Sequence, residues 1–382
     1  MAGEWPCENW CHHTRNTRMN KSARIILQLC IVTCITCSSF GQWSQCGGTA
    51  GKNMQSLLTY GTYNFAGGST GAYLSTDSAA NYAASNTGND ATGPTRGFTQ
   101  DGTYVYTCTS KGVFRSANNG ASWTGKNSGL TNLLTSGILA VNTYLFVATP
   151  TGVFKSTNQG DTWSASGLTG IDVRCVASAA NILFVGTNGS GVYKSSDWGA
   201  TWVASNNGST STTFRAMEAK GTTLFAGGQI GTGVFRSTDL GANWTLLGGG
   251  LSSGSYRGFA SNNQIIVAGS FGAGVFYSTD NGDTWTTINS GLTDLTIFDL
   301  EINDGYIVAA TNTNGVFRFP LSALALCAGD LNGDNTVDSM DLGVTLLNFG
   351  NALPGEAADL NNNGVVDSED LGMLLVVWGA CP

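Results

Sequence analysis

The phrase GVFYSTDNGDTW, residues 274–285, decides the fold because the chain repeats it. Close copies begin at Gly112 (GVFRSANNGASW), Gly152 (GVFKSTNQGDTW), Gly191 (GVYKSSDWGATW) and Gly233 (GVFRSTDLGANW). A degenerate copy, GAYLSTDSAANY, begins at Gly71, and a truncated one, GVFRFP, at Gly315. A spacing of about forty residues is the period of propeller blades or a solenoid. Each unit carries an alternating apolar run such as TLFAGG or YLFVAT, then the Gly-Val-Phe strand, a tight Asn/Asp/Gly turn and a Trp-led strand. Four short strands per repeat make a propeller blade. The seventh copy stops at Pro320, whereas Trp43-Ser44-Gln45 matches Trp163-Ser164-Ala165. The N-terminal strand is therefore expected to complete the last blade and leave no long edge exposed. The expected architecture is an all-β, seven-bladed propeller over residues 42–324, followed by a small α-helical domain over 325–382.

Composition agrees with an extracellular β-protein. The 382 residues include 53 glycines and only 11% charged side chains, enough chain for a large core but unlike a cytosolic helical enzyme. Residues 1–41 read as a leader with its start at Met19. Lys21 and Arg24 precede the apolar stretch from Ile25 to Cys37, and cleavage is expected near Gly41. That stretch is short for a spanning helix and no later one is longer, so the expected mature chain is secreted and has no membrane span. Five of the ten cysteines lie beyond the leader: Cys46, Cys108, Cys175, Cys327 and Cys381. An odd number leaves at least one unpaired, and the favoured pairing is Cys327 with Cys381, which bracket the tail.

The formal net charge of −8 is unevenly placed: nine acidic and no basic residues follow Cys327, while acids and bases nearly balance before it. This points to a cation partner at the C-terminus and excludes nucleic acid, which needs a basic patch. Two loops, DLNGDNTVDSMD from Asp330 and DLNNNGVVDSED from Asp359, place oxygen ligands at alternate positions, as Ca²⁺ requires. The first loop offers Asp330, Asn332, Asp334, Thr336 through its carbonyl, Asp338 and Asp341. The second offers Asp359, Asn361, Asn363, Val365 through its carbonyl, Asp367 and Asp370, giving two Ca²⁺ ions in all.

The repeated turn resembles the Asp-box, or BNR repeat, of sialidases and other propellers, Ser/Thr-x-Asp-x-Gly-x-Thr-Trp, which Ser278, Asp280, Gly282, Thr284 and Trp285 match in full. In that turn a carboxylate accepts backbone N–H bonds, Gly takes a positive φ and Trp packs under the blade. Asp197, Asp239, Asp280, Asn118 and Asn158 are thus expected to hold turns rather than perform chemistry. Residues 327–382 resemble the type I dockerin family, with Asp at the twelfth loop position and apolar helices SMDLGVTLLNFG and SEDLGMLLVVWG. The resemblance implies binding to a cohesin on a scaffold or cell surface, with Ser339, Met340, Ser368 and Glu369 at the recognition positions. A calcium-stabilised terminal module without a partner is the alternative.

Aligning the repeats places Arg96, Arg174, Arg215 and Arg257 at one shared position at the start of the innermost strand. Symmetry would gather them at one mouth of the axial channel, offering forked donors to carboxylate, sulfate or phosphate. The alternative is that they lock blades together. A glycoside hydrolase needs two carboxyl groups facing one bond. Glu218 and Glu301, at equivalent positions of the fifth and seventh inner strands, and Asp299 beside them are the catalytic candidates, followed by Asp172 and Asp101. The same acids could instead be countercharges for the arginines. Sialidases also carry a Phe-Arg-Ile-Pro motif that is absent here, and Asp-box propellers that cleave xyloglucan usually pair two propellers where this chain has one. Both histidines, His12 and His13, precede the expected mature start, which sets aside a His triad or a His-ligated metal. The leading expectation is a secreted propeller that binds a glycan or other anionic extracellular ligand, tethered through a calcium-dependent dockerin-like module in polysaccharide degradation. The alternatives are a glycoside hydrolase and a non-catalytic protein-interaction scaffold.

Overall fold

The computed structural model describes residues 41–382 apart from 89–92, 230, 304, 325–328, 332–335, 351–357, 361–364 and 381–382. The expected leader (save Gly41) and the expected Cys327–Cys381 pair lie outside the described residues. Seven four-stranded antiparallel sheets follow one another along the chain. Their inner strands are Met54–Tyr60, Thr95–Gln100, Gly137–Val141, Val173–Ala179, Phe214–Lys220, Tyr256–Ser261 and Ile297–Ile302. These pack side by side around an axis, the first against the last. In the seventh blade the N-terminal strand Ser44–Gln45 supplies the outer edge, Ser44 opposite Arg318 and Gln45 opposite Phe317. The ring is thus closed by the element that the sequence assigns to it.

Second strands such as Tyr144–Thr149 are buried on both faces, which is why they read as unbroken apolar runs. Inner strands are only partly buried because one end of their pleat meets the channel. The core lies between blades rather than within them: Phe184 of the fourth blade packs with Phe235 and Trp244 of the fifth. Burial of a large side chain of this kind contributes about 1.5–3 kcal/mol.

The repeated turn builds two inter-blade links. In five copies the turn Ser hydroxyl donates to the Asp or Asn two residues on and accepts from the Gly amide, as in Ser195, Asp197 and Gly199. The residue before that Gly is itself left-handed, for example Trp198 at φ 57° and Leu240 at φ 54°. Its carbonyl receives the basic residue of the preceding blade: Arg115 donates to Gln159, Lys155 to Trp198, Lys194 to Leu240, Arg236 to Asn281 and Arg318 to Ser78, at 2.7–3.0 Å. The indoles run the opposite way. Trp123, Trp163, Trp202 and Trp244 donate at 2.8–2.9 Å to the preceding blade's carbonyls at Ser85, Lys126, Ser166 and Ser205, and Trp43 donates to Ile288. The Trp therefore stitches neighbouring blades together while packing with the Gly-Val-Phe strand of its own repeat, as Trp163 does with Phe154 and Trp244 with Phe235. Trp285 alone of these donates within its own turn, to Gly282.

Beyond the propeller, helix α1 (Ser339–Leu347) and helix α2 (Ser368–Val376) pack around Leu331, Val337, Ala358, Val366 and Leu374. Both begin with a reciprocal cap, Asp338 with Asp341 and Asp367 with Asp370, which satisfies amides that the first helical turn leaves open. Thr336–Val337 pairs with Gly379–Ala380 and draws the two ends of the segment together. No described helix is long and apolar enough to cross a membrane.

Candidate functional site

Six of the seven inner strands shift register at the same place: between Met54 and Ser56, Thr95 and Gly97, Val173 and Cys175, Phe214 and Ala216, Tyr256 and Gly258, and Ile297 and Asp299. A bulge leaves one residue without a ladder partner and re-aims its side chain. The residues so placed are Gln55, Arg96, Arg174, Arg215, Arg257 and Phe298, and all of them line one axial cavity of about 520 Å³ together with Ser136. The four arginines singled out by repeat alignment thus share a single chamber. The bulge that puts them there has no signature in the sequence beyond the shared position.

Arg174 is paired, its Nη2 lying 2.5 Å from Asp172 Oδ2. Among the described residues Arg96, Arg215 and Arg257 have no acidic partner. The Nε atoms of Arg174, Arg215 and Arg257 are buried without an acceptor, as is the Ser136 hydroxyl. Burial, and then the neighbouring arginine, pull the Arg215 and Arg257 guanidinium groups below their ordinary range. They stay charged, because a guanidinium starts from about 12.5 or higher. A half-buried guanidinium whose enclosed Nε donor lacks an acceptor answers to an anion.

Glu218, Asp299 and Glu301 line the same chamber. Their countercharge reading is corrected: no ion pair joins any of them to an arginine among the described residues. Each instead accepts from the next blade. Asp299 Oδ2 takes the Leu57 amide at 2.8 Å, Glu218 Oε1 takes the Ser261 hydroxyl at 2.8 Å, and Glu301 takes the Thr59 amide. Enclosed by protein except where they face the channel, they keep their protons to higher pH than free carboxyl groups do. Desolvation pushes Glu218 up to about 7 and Asp299 to about 7, and desolvation with repulsion from Asp299 and Glu218 pushes Glu301 to about 8. Asp101 lies away from this chamber, where it accepts from Tyr106 at 2.6 Å and from the amides of Thr103 and Tyr104.

In the C-terminal segment Asp330, Asp341, Asp359 and Asp370 are buried, at 6, 0, 5 and 0% exposure. Asp341 accepts from the Leu331 and Asp338 amides, and Asp370 from the Asp367 amide. Asp338 and Asp367 cap their helices, and Thr336 and Val365 directly precede the capping segments. Asn332, Asp334, Asn361 and Asn363 lie outside the described residues. Ser339, Met340, Ser368 and Glu369 form the exposed first turns of the two helices, with Met340 64% exposed.

No protein-family model and no curated protein matches the chain. Solved structures match its propeller. The GH74 xyloglucanase from Xanthomonas campestris matches at 15% identity over 73% of this chain and 53% of its own, with a TM-score of 0.61. The extracellular domain of BT4673 from B. thetaiotaomicron matches at 12% identity over 74% of this chain and 40% of that one, TM-score 0.61. YCF48 bound to D1 peptide matches at 11% identity over 74% and 97%, TM-score 0.61. The matched region spans about half the length of the xyloglucanase. The shared feature is the fold, a seven-bladed β-propeller.

Proposed function

We propose that the chain is an exported recognition module whose propeller binds a glycan or another anionic extracellular ligand at its axis. Its C-terminal segment is read as a dockerin-like, calcium-dependent tether serving polysaccharide degradation. The observation that carries the binding reading is the convergence of four arginines on one chamber, three of them without an acidic partner among the described residues. Matches to a xyloglucanase and to an extracellular domain are in keeping with it. The rim turns are read as Asp-boxes with a purely structural role, supported by their closed hydrogen-bond circuits. The test is calorimetric binding of acidic and neutral oligosaccharides to residues 42–382 in calcium. Binding of an anionic ligand that is lost in Arg174→Ala/Arg215→Ala, with an unchanged melting temperature, supports the reading. Binding that survives those changes would make the propeller a scaffold of another kind.

A second reading, glycoside hydrolysis, is favoured by one observation: three acids near neutrality share the chamber. An acid held near pH 7 suits proton donation to a leaving group. Release of soluble sugar from a polysaccharide and sialoglycan panel, abolished by Glu218→Gln or Glu301→Gln, would establish it and displace the binding reading. Their engagement as acceptors for the neighbouring blade argues for structure instead.

For the tether, four carboxyl groups are buried in a segment with no Lys or Arg after Cys327. Carboxyl oxygens gathered at alternate positions of each loop are the donor set a hard divalent cation takes, one ion to a loop. Asp330, Thr336, Asp338 and Asp341 would hold one ion with Asn332 and Asp334; Asp359, Val365, Asp367 and Asp370 would hold the other with Asn361 and Asn363. Chelation should abolish the helical circular dichroism of α1 and α2 while leaving the propeller folded. A helical signal unchanged by chelator would overturn the calcium assignment.

A further inference from the structure

We propose that the arginine mouth of the propeller docks an extended polypeptide segment, apolar at both ends and acidic between them, laid across the third to seventh blades. This rests on the reading of the propeller as an anion-binding module and selects a protein as its ligand over a glycan.

The exposed apolar side chains of the propeller are not scattered. Among its described residues the large ones that are exposed are Leu133, Leu134, Val203, Leu246, Phe271 and Leu295. Val203 and Leu246 lie on outer strands. The other four sit in loops at the arginine mouth. Leu133 and Leu134, 43 and 48% exposed, lead into the third inner strand, Leu295 leads into the seventh, and Phe271 follows the second strand of the sixth blade. The Gly272 and Gly274 amides donate to the Leu295 carbonyl at 3.0 and 2.9 Å, so the last two loops form one lip. Arg257 rests on it, with its guanidinium carbon 4.0 Å from the Phe271 centroid.

The order of these groups around the ring carries the inference. Leu133, Ile171 and Leu295 stand three residues before the chamber residues Ser136, Arg174 and Phe298. On the fifth and sixth blades the same place holds only Thr212 and Gly254, ahead of Arg215 and Arg257. From the third blade to the seventh the mouth thus reads apolar, apolar, cationic, cationic, apolar. Arg174 is paired with Asp172, whereas Arg215 and Arg257 have no acidic partner among the described residues and keep Nε donors without an acceptor. Arginine beside aromatic side chains is enriched at protein interfaces, and clustered arginines take acidic motifs. An acidic glycan or an inorganic anion would meet the guanidinium groups and leave the leucines in water. A wholly apolar segment would leave the donors unmet. Cα atoms of neighbouring inner strands come within 8 Å, so four steps make an arc of about 30 Å, which an extended chain covers in about nine residues.

The deciding experiment is titration calorimetry on residues 42–382 in calcium. The probes are an end-capped nonapeptide with leucines at its ends and glutamates at its centre, the same peptide with serine for leucine, the same peptide with glutamine for glutamate, an oligogalacturonate and sodium sulfate. The leucine–glutamate peptide is expected to bind at least about tenfold tighter than the others, within the worth of burying one leucine side chain. Leu133→Ser/Leu134→Ser should remove that advantage and leave oligogalacturonate and sulfate binding unchanged. Arg215→Ala/Arg257→Ala should abolish the binding of every acidic probe. Serine peptide or oligogalacturonate binding as tight as the leucine peptide, indifferent to Leu133→Ser/Leu134→Ser, overturns the polypeptide inference and leaves the anion-binding reading standing. A glutamine peptide that binds as tightly as the glutamate one overturns the inference too, because the arginines then play no part. No binding of any acidic probe overturns both. Leu133 and Leu134 are exposed, so their replacement tests the ligand rather than the fold, and unchanged melting temperatures confirm this.

Discussion

The rim and the axis of the propeller obey opposite rules. At the rim the same residues recur and their polar groups are met: Ser195 by Asp197, Asp197 by Thr201, Lys194 by the next blade's Leu240. At the axis the repeat breaks. The bulge position carries Gln55, Arg96, Arg174, Arg215, Arg257 and Phe298 in turn, and three guanidinium Nε atoms there are unpaired. Repetition at the rim serves closure of the ring, and departure from repetition at the axis coincides with the place where we propose that a ligand is recognised. Even the rim's exceptions follow this logic. Tyr277 stands where other blades place Arg or Lys, and the next blade, completed by the N-terminal strand, has no Asp-type turn to receive a cation. Leu74 in the first blade has no such explanation.

Removing a rim link should therefore damage stability, and removing an axial one should damage binding. Trp244 is 3% exposed, packs on Phe184 and Phe235 and donates to Ser205. Trp244→Ala should cost about 3–5 kcal/mol by opening a cavity between blades, read as a lowered urea midpoint. Arg215→Ala should leave that midpoint unchanged or raised, since it relieves a half-buried guanidinium whose Nε has no acceptor. It should weaken anion binding by about 1.5–3 kcal/mol, the range for a hydrogen bond to a charged group. A drop in stability for Arg215→Ala comparable to that of Trp244→Ala would erase the distinction between rim and axis.

The two regions also respond oppositely to pH. Glu218, Asp299 and Glu301 have folded-state pKa values raised above the unfolded ones of about 4. Their contribution is present in full below about pH 4 and is lost as pH rises through about 7 to 8. Melting temperature should fall between pH 6 and pH 8.5, and Glu301→Gln should flatten the fall. Anion affinity should decline over the same interval as the ionised acids offset the arginines. A wild-type midpoint flat across this window would show that the acids are not desolvated.

The ring was legible in the sequence because closure imposes one local solution seven times, and even Trp43 and Ser44 could be placed by matching them to Trp163 and Ser164. The shared arginine position was legible for the same reason. The inter-blade cation links were not read, although their signal, Arg or Lys three residues before the turn Asp or Asn, stands in plain view at Arg115, Lys155, Lys194 and Arg236, and at the matching position Arg318 of the truncated copy. Their acceptor is a backbone carbonyl made available by a left-handed residue as varied as Gln159, Trp198 and Leu240, so no side-chain pattern reveals it. Nor could spacing show that Glu218 faces Ser261 and Asp299 faces Leu57, because such partners are set by how inner strands of different blades align.

The smallest effect is expected at the rim carboxylates, and it tests the comparison most finely. Hydrogen bonds from Thr201 and Ser195 hold Asp197 at about 2, and those from Asn243 and Ser237 do the same for Asp239. With folded pKa values below the unfolded one, their contribution is present above about pH 4 and lost as pH falls through about 2. Yet Asn118 and Asn158 occupy the same position in other blades and accept the same amides, from Ser122 and Thr162, at 2.8 and 2.9 Å. The turn thus needs an acceptor oxygen, not a charge. Asp197→Asn should leave the urea midpoint at pH 7 unchanged, as for an ordinary surface substitution. Asp197→Ala, which removes the acceptor for the Thr201 amide, should lower that midpoint measurably. If the Asn variant proves as damaging as the Ala variant at neutral pH, charge at the rim matters in its own right, and the chemical contrast with the axis has to be redrawn.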